Sequence, residues 1–290
     1  MTIFDTPEPI NVELELGVAN VRIDASDRTD TVVDVQPGDP TKRADVTAAQ
    51  QTRVEYANGT LLITAPKGWR QWTPWGGHES IDVRIEVPAG STVRGAAGVA
   101  SLRATGRLGE CAYRAGVGDV VLERAERVEI KSGAGGVAVD AIEGRAEIKT
   151  AGSIRIGTIG GPAVIKNTNG DTRLGEIAGD ARVHASNGSI AIRLARSSVA
   201  AKTANGDVGI EEVRGGSVDA QSALGTVEIG IPNGVAAWLD LETKFGHVRN
   251  DLEDADRPEP GADAVEVHAH TSMGDVTIRR ALGAGAGRGE

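Results

Sequence analysis

Ten glycines recur through most of the chain at nearly constant intervals: Gly98, Gly118, Gly135, Gly152, Gly170, Gly188, Gly206, Gly225, Gly246 and Gly274. Their spacings are 20, 17, 17, 18, 18, 18, 19, 21 and 28 residues, a period near eighteen that drifts only toward the ends. A fixed period of this length marks stacked supersecondary units, each touching its neighbours and ending in atypical terminal copies. Aligning on the glycine exposes columns with the period of two that belongs to half-buried strands. Seven and five residues before it stand Val128 and Ile130, Ala163 and Ile165, Ala181 and Val183, Val199 and Ala201, Val218 and Ala220, with Ala146 and Ile148 displaced by one. Two and four residues after it stand Val120 and Leu122, Val137 and Val139, Ile154 and Ile156, Thr172 and Leu174, Ile190 and Ile192, Val208 and Ile210, Val227 and Ile229. A third apolar column, Ile142, Ile159, Ile177 and Val213, precedes a second corner.

Each coil therefore reads as two short strands and two corners. The pattern predicts an all-β fold, a single elongated β-solenoid of about eighteen-residue coils with an irregular β section at its N-terminus. Asn169-Gly170, Asn187-Gly188 and Asn205-Gly206 are tight-turn dipeptides that tolerate positive φ, and asparagines at equivalent corners can stack in a hydrogen-bonded ladder. Residues 1–88 extend the theme, with strands expected at Thr31 to Val35, Arg53 to Tyr56, Leu61 to Thr64 and Ile81 to Val87, and a hairpin turn at Asn58-Gly59. Residues 89–282 carry the repeats of the same continuous fold, and 283–290 read as a flexible tail. The stretch DLEDADRPEPGAD, residues 251–263, reads as an acidic loop inserted before the last coil.

Composition narrows the function classes. Aromatics are 3% of the chain against 39 glycines, so the interior is filled by Val, Ile, Leu and Ala in thin layers. A formal charge of -10 argues against general nucleic-acid binding, which needs an excess of Lys and Arg. Cys111 is the sole cysteine and falls on an inward position, so it reads as an ordinary buried thiol. The opening MTIFDTPEPI lacks a basic start followed by an apolar run, and no apolar stretch approaches membrane-spanning length. The expectation is a cytoplasmic protein with no membrane span.

Glu86-Val87-Pro88 ahead of the repeats, the phrases Lys166 to Asp171 and Lys202 to Asp207, and the closing Gly274-Asp275-Val276 resemble a bacterial β-strand-repeat family of unknown function. That family is labelled "putative adhesin" and is also called the Toastrack domain. The likeness covers nearly the whole chain. It implies a β-solenoid and a role in envelope-associated signalling, stress response or adhesion, and it carries over no catalytic residue.

Two surface features stand out as partner-binding candidates. Trp69, Trp72 and Trp75 cluster beside His78 in GWRQWTPWGGH, where exposed indoles would suit a sugar, peptide or protein and where rings can equally cover an open solenoid side. Four residues before the repeat glycine runs a basic column of Arg94, Arg114, Lys131, Lys166, His184 and Lys202, with Lys149 displaced by one. Lys131, Lys166 and Lys202 are its candidate contacts for an acidic partner face, and the same column can serve as a solubilising strand face.

Asp119, Asp171, Asp207 and Asp275 follow corner glycines and read as turn caps rather than calcium ligands, since the dense calcium nonapeptide repeat is absent. His268 and His270 share one face but stand without a helical or cysteine-rich ligand frame, so no metal or other cofactor is expected. No nucleophile elbow or phosphate-binding loop occurs, and no catalytic site is expected. The sequence thus points to a non-catalytic scaffold or protein-binding module. The alternatives are an adhesin-like surface protein binding glycan or protein and, more remotely, a carbohydrate-active β-helix enzyme. Open solenoid ends also predict end-to-end self-association.

Overall fold

The structure, a computed structural model, describes residues 1–65, 79–252 and 264–281. It is almost entirely β and of the β-solenoid class. The chain divides into two compact units, Met1–Glu143 with Ile148–Thr150, and Gly144–Glu147 with Ala151–Glu290. No helix among the described residues is long and apolar enough to cross a membrane.

The second unit is made of two walls of parallel strands. One wall holds, in spatial order, Ala163–Asn169, Ala181–Asn187, Val199–Asn205, Ser217–Leu224, Ala264–Met273 and Ala236–Phe245. The other holds Ile154–Ile159, Thr172–Ile177, Ile190–Ala195, Val208–Val213, Val227–Ile231, Val276–Arg280 and Val248–Asn250. Register follows the repeat, with Ala163 opposite Ala181 and Val199 opposite Val218. The alternating apolar columns point inward and are buried, as are Ile159, Ile177 and Val213 at the second corner.

The corners explain the glycines. Gly170, Gly188, Gly206, Gly225 and Gly274 have φ between +102° and +148°, a region that side chains disfavour. The next rung's corner also passes too close for a Cβ: one on Gly206 would lie 2.4 Å from the Gly188 carbonyl oxygen. Asparagine does not supply the positive φ here. Its side chains instead form the ladder, Asn187 Nδ2 donating to Asn169 Oδ1 (3.1 Å) and Asn205 Nδ2 to Asn187 Oδ1 (2.8 Å).

The order of the last two rungs differs from the order in sequence. Ser217–Leu224 pairs with Ala264–Met273, and Ala236–Phe245 lies on the far side of that strand. The last coil in sequence is therefore inserted between its two predecessors, and residues 251–263 connect the outer rung back to the inserted one. The inward columns give the reason. Val265, Val267, Ala269, Val276 and Ile278 are all apolar and fully buried, which suits a position covered on both sides. The outer rung places Asn250 where Ile278 stands in the neighbouring one, and leaves Val248 about half exposed. A polar group at an inward position needs water or a hydrogen-bond partner, and on the outermost rung Asn250 is exposed.

In the first unit, Asn11–Ser26 runs as one strand whose partner on one side changes near Leu16-Gly17, from Thr60–Thr64 to Ser80–Pro88. On its other side lies Thr92–Val117, followed in register by Val120–Ala134 and Val137–Ile142. Antiparallel strands cover the opposite border: Asp30–Pro37 pairs with Ser80–Pro88, Thr2–Asp5 pairs with Asp30–Pro37, and Arg53–Ala57 forms a hairpin with Thr60–Thr64. The hairpin turns through Asn58 and Gly59, both at positive φ. Covering an edge in this way prevents it from recruiting further strands.

A helix, Arg43–Gln51, was not expected from the strand-like N-terminal pattern. Its buried Asp45 accepts the amide N–H groups of Asp39 (3.0 Å) and Ser80 (3.1 Å), so tertiary contacts rather than local periodicity hold it.

Replacing Gly206 by Ala should cost roughly 2–4 kcal/mol in urea denaturation, combining backbone strain with a clash against the neighbouring rung. Gly209→Ala, where an added Cβ meets nothing within 4 Å, should stay within about 0.5 kcal/mol of the parent. Equal effects at the two positions would contradict the corner packing.

Candidate functional site

Because every rung repeats the same inward columns, outward residues at equivalent positions line up across neighbouring strands about 4.8 Å apart. In the second unit one such row runs Lys166, His184, Lys202, Gln221, His270, Glu242, each opposite the next in register. The row begins basic and ends acidic. Lys202 Nζ is 2.8 Å from Asp219 Oδ2, whereas Lys166 and His184 have no ion-pair partner among the described residues. An open groove of about 650 Å³ runs along its later part, lined by His184, Lys202, Gln221, His270, Glu242 and Lys244.

In the first unit the same column is balanced locally. Arg114 and Lys131 stand opposite each other, and Glu129 accepts hydrogen bonds from Lys131 Nζ (2.7 Å) and from Arg114 (3.4 Å). Both cations hold the Glu129 carboxyl below its ordinary value, Lys131 contributing most. Arg94 lies 3.6 Å from Glu110. Of the lysines singled out from the sequence, Lys131 and Lys202 are thus paired and Lys166 is exposed. Trp69, Trp72 and Trp75 fall between Thr60–Thr64 and Ser80–Pro88, outside the described residues.

The adjacent row in the second unit contains Arg182, Asp219, His268 and Asp240. His268 Nδ1 is 3.1 Å from Asp240 and its Nε2 is 3.0 Å from Glu266, so the imidazolium can donate to both carboxylates. These hydrogen bonds raise the His268 pKa, that to Asp240 first. The indole of Trp238 packs edge-on against the His268 ring at 5.5 Å.

The corner aspartates act as caps to the next rung. Asp119 accepts the Gly136 amide (2.7 Å), Asp171 that of Ser189 (3.2 Å), Asp207 that of Thr226 (2.8 Å) and Asp275 that of His247 (2.8 Å). Cys111 is fully buried, and burial pushes its thiol up to about 12, leaving it un-ionised at neutral pH. One inward column escaped the sequence reading: Thr203, Ser222, Thr271 and Thr243 donate hydroxyl hydrogen bonds to the carbonyls of Gly188, Gly206, Gly225 and Gly274. Its signal was a hydroxyl three residues before Gly206, Gly225, Gly246 and Gly274.

The family model described as Toastrack DUF4097 matches residues 10–279. No curated protein matches the chain. Solved structures similar to it include a "putative adhesin" from Parabacteroides merdae, at 11% identity and TM-score 0.35, covering 97% of this chain and 95% of that one. A "putative lipid binding protein" from Parabacteroides distasonis has 11% identity and TM-score 0.34, with coverage of 97% and 96%. A "putative adhesin" from Bacteroides fragilis has 12% identity and TM-score 0.28, with coverage of 96% and 95%.

The depressed Glu129 pKa sets a pH dependence. A carboxyl whose folded pKa is lowered adds stability that is fully present above its unfolded value, about 4.3, and lost as pH falls through the lower folded value. In Lys131→Met the Glu129 titration followed by NMR should move up toward the unperturbed value. An unchanged titration would show that the ion pair is not formed in solution.

Proposed function

Because the chain belongs to the Toastrack DUF4097 family, whose β-solenoid fold it has, we propose that it is a non-catalytic binding module. It recognises a protein partner through the outward face of the second unit. The observation that carries this reading is the in-register row from Lys166 through His184 and Lys202 to Glu242, lying along an open groove. Such a row presents ordered charge on a backbone that need not rearrange, which keeps the entropic cost of binding low.

The polarity of the row favours a protein over a simple polyanion. Its basic end suits carboxylates, and its acidic end at Glu242 suits a cation, a mixed pattern that polypeptides provide. Support for a non-catalytic role comes from the charged groups themselves. Lys202 and His268 on this face are engaged in cross-strand pairs with Asp219 and Asp240. They lie on an open surface, where general acid–base chemistry would lack the desolvation that tunes it.

The test is crosslinking in cells followed by affinity measurement with the partner recovered. Lys166→Glu combined with Lys202→Glu should weaken binding at least about tenfold, or ~1.4 kcal/mol, with little change in thermal midpoint. Unchanged affinity would sink the proposal. Loss of binding only in the Trp69, Trp72 and Trp75 triple alanine variant would move recognition to the tryptophan segment and equally contradict the face.

A further inference from the structure

The inserted rung brings together residues that the sequence keeps apart. His268 and His270 alternate onto the same outward face of Ala264–Met273, and the outer strand Ala236–Phe245 sets Asp240 directly opposite His268. Asp240 Oδ2 lies 3.1 Å from His268 Nδ1 and 3.8 Å from His270 Nε2, and the three donor atoms all fall within 4.8 Å of one another. In a tetrahedral zinc site with bonds of 2.0–2.1 Å, neighbouring donors stand about 3.3–3.4 Å apart. The two distances to Asp240 bracket that value, and the separation between the two imidazole donors is within 4.8 Å.

The nitrogen that each imidazole turns away from Asp240 has its own carboxylate. His268 Nε2 is 3.0 Å from Glu266, and His270 Nδ1 is 3.5 Å from Glu242. This is the arrangement that holds a metal-bound histidine, where a carboxylate accepts the remaining N–H, fixes the tautomer and makes the ligating nitrogen more basic. Two imidazoles among three carboxylates also leave a local excess of negative charge that a divalent cation would offset. Trp238 against His268 limits rotation of that ring.

We propose that Asp240, His268 and His270 form a surface site for a divalent transition cation of the zinc type. Glu266 and Glu242 orient the two imidazoles, and the remaining coordination positions face outward to water or to a donor from a partner. The site depends on the rung order and not on the binding role proposed above. A bound ion would tie the outermost strand to its neighbour by side chains as well as by the backbone ladder.

Titration calorimetry of the full chain with zinc chloride, at a mildly alkaline pH because metal binding displaces protons from its ligands, tests this directly. One equivalent should bind. His268→Ala, His270→Ala and Asp240→Asn should each weaken binding by at least about tenfold, and Glu266→Gln by about tenfold. His184→Ala and His247→Ala should leave it unchanged. If a variant fails to fold, imidazole NMR of the parent protein gives the same answer, with zinc shifting His268 and His270 but not His184 or His247. No saturable binding, or binding that survives loss of both His268 and His270, would overturn the proposal. So would zinc-induced shifts confined to other histidines.

Discussion

The structure depends on how closely one backbone corner sits on the next. At five corners of the second unit the glycine amide donates to the carbonyl just before the neighbouring rung's glycine: Gly170 to Asn187, Gly188 to Asn205, Gly206 to Leu224, Gly225 to Met273 and Gly274 to Phe245, at 2.8–3.0 Å. Side chains then saturate what the backbone leaves open. Hydroxyls from the inward column take the glycine carbonyls, and aspartates take the amides that follow the next corner. No Cβ fits in this stack, which is why the repeat is read first as glycine. With the corners fixed, each strand meets its neighbour in one register. Inward residues then form continuous apolar columns, and outward residues form rows.

Much of this was legible because two periods coincide. The eighteen-residue spacing located the rungs, and the alternation within each rung separated Val183 and Ile190, which are buried, from His184 and Arg182, which are exposed. The asparagine ladder could be read for the same reason. Rung order could not, because residue spacing counts positions along the chain and says nothing of which rung lies beside which. Its trace in the sequence is a single substitution of character, Asn250 at a position that other rungs fill with Val, Ile or Leu. The helix Arg43–Gln51 was equally hidden, since its decisive contact is a buried carboxylate reaching Ser80.

The surface shows the same division. The basic column was visible in the sequence, but its electrostatics were not, because pairing of Arg114 with Glu129 and of Lys202 with Asp219 is decided by cross-strand neighbours. Lys202 meets Asp219 of the adjacent row on the next strand, whereas Lys166 and His184 have no ion-pair partner among the described residues. Asp240 and His268 lie 28 residues apart and become neighbours only through the inserted rung. Family membership fits this picture, since a solenoid core constrains inward and corner positions while leaving the outward rows free to specialise.

Residue-resolved amide hydrogen exchange under native conditions tests the corner ladder most directly. The amides of Gly170, Gly188, Gly206, Gly225 and Gly274 are each committed to a neighbouring rung, whereas the Gly246 amide, on the outermost rung, has no backbone acceptor among the described residues. The amides of Gly188, Gly206 and Gly225 should therefore exchange slowly, near the limit set by global unfolding, and Gly246 should exchange fast. Inner corner amides that exchange as readily as Gly246 would contradict the account.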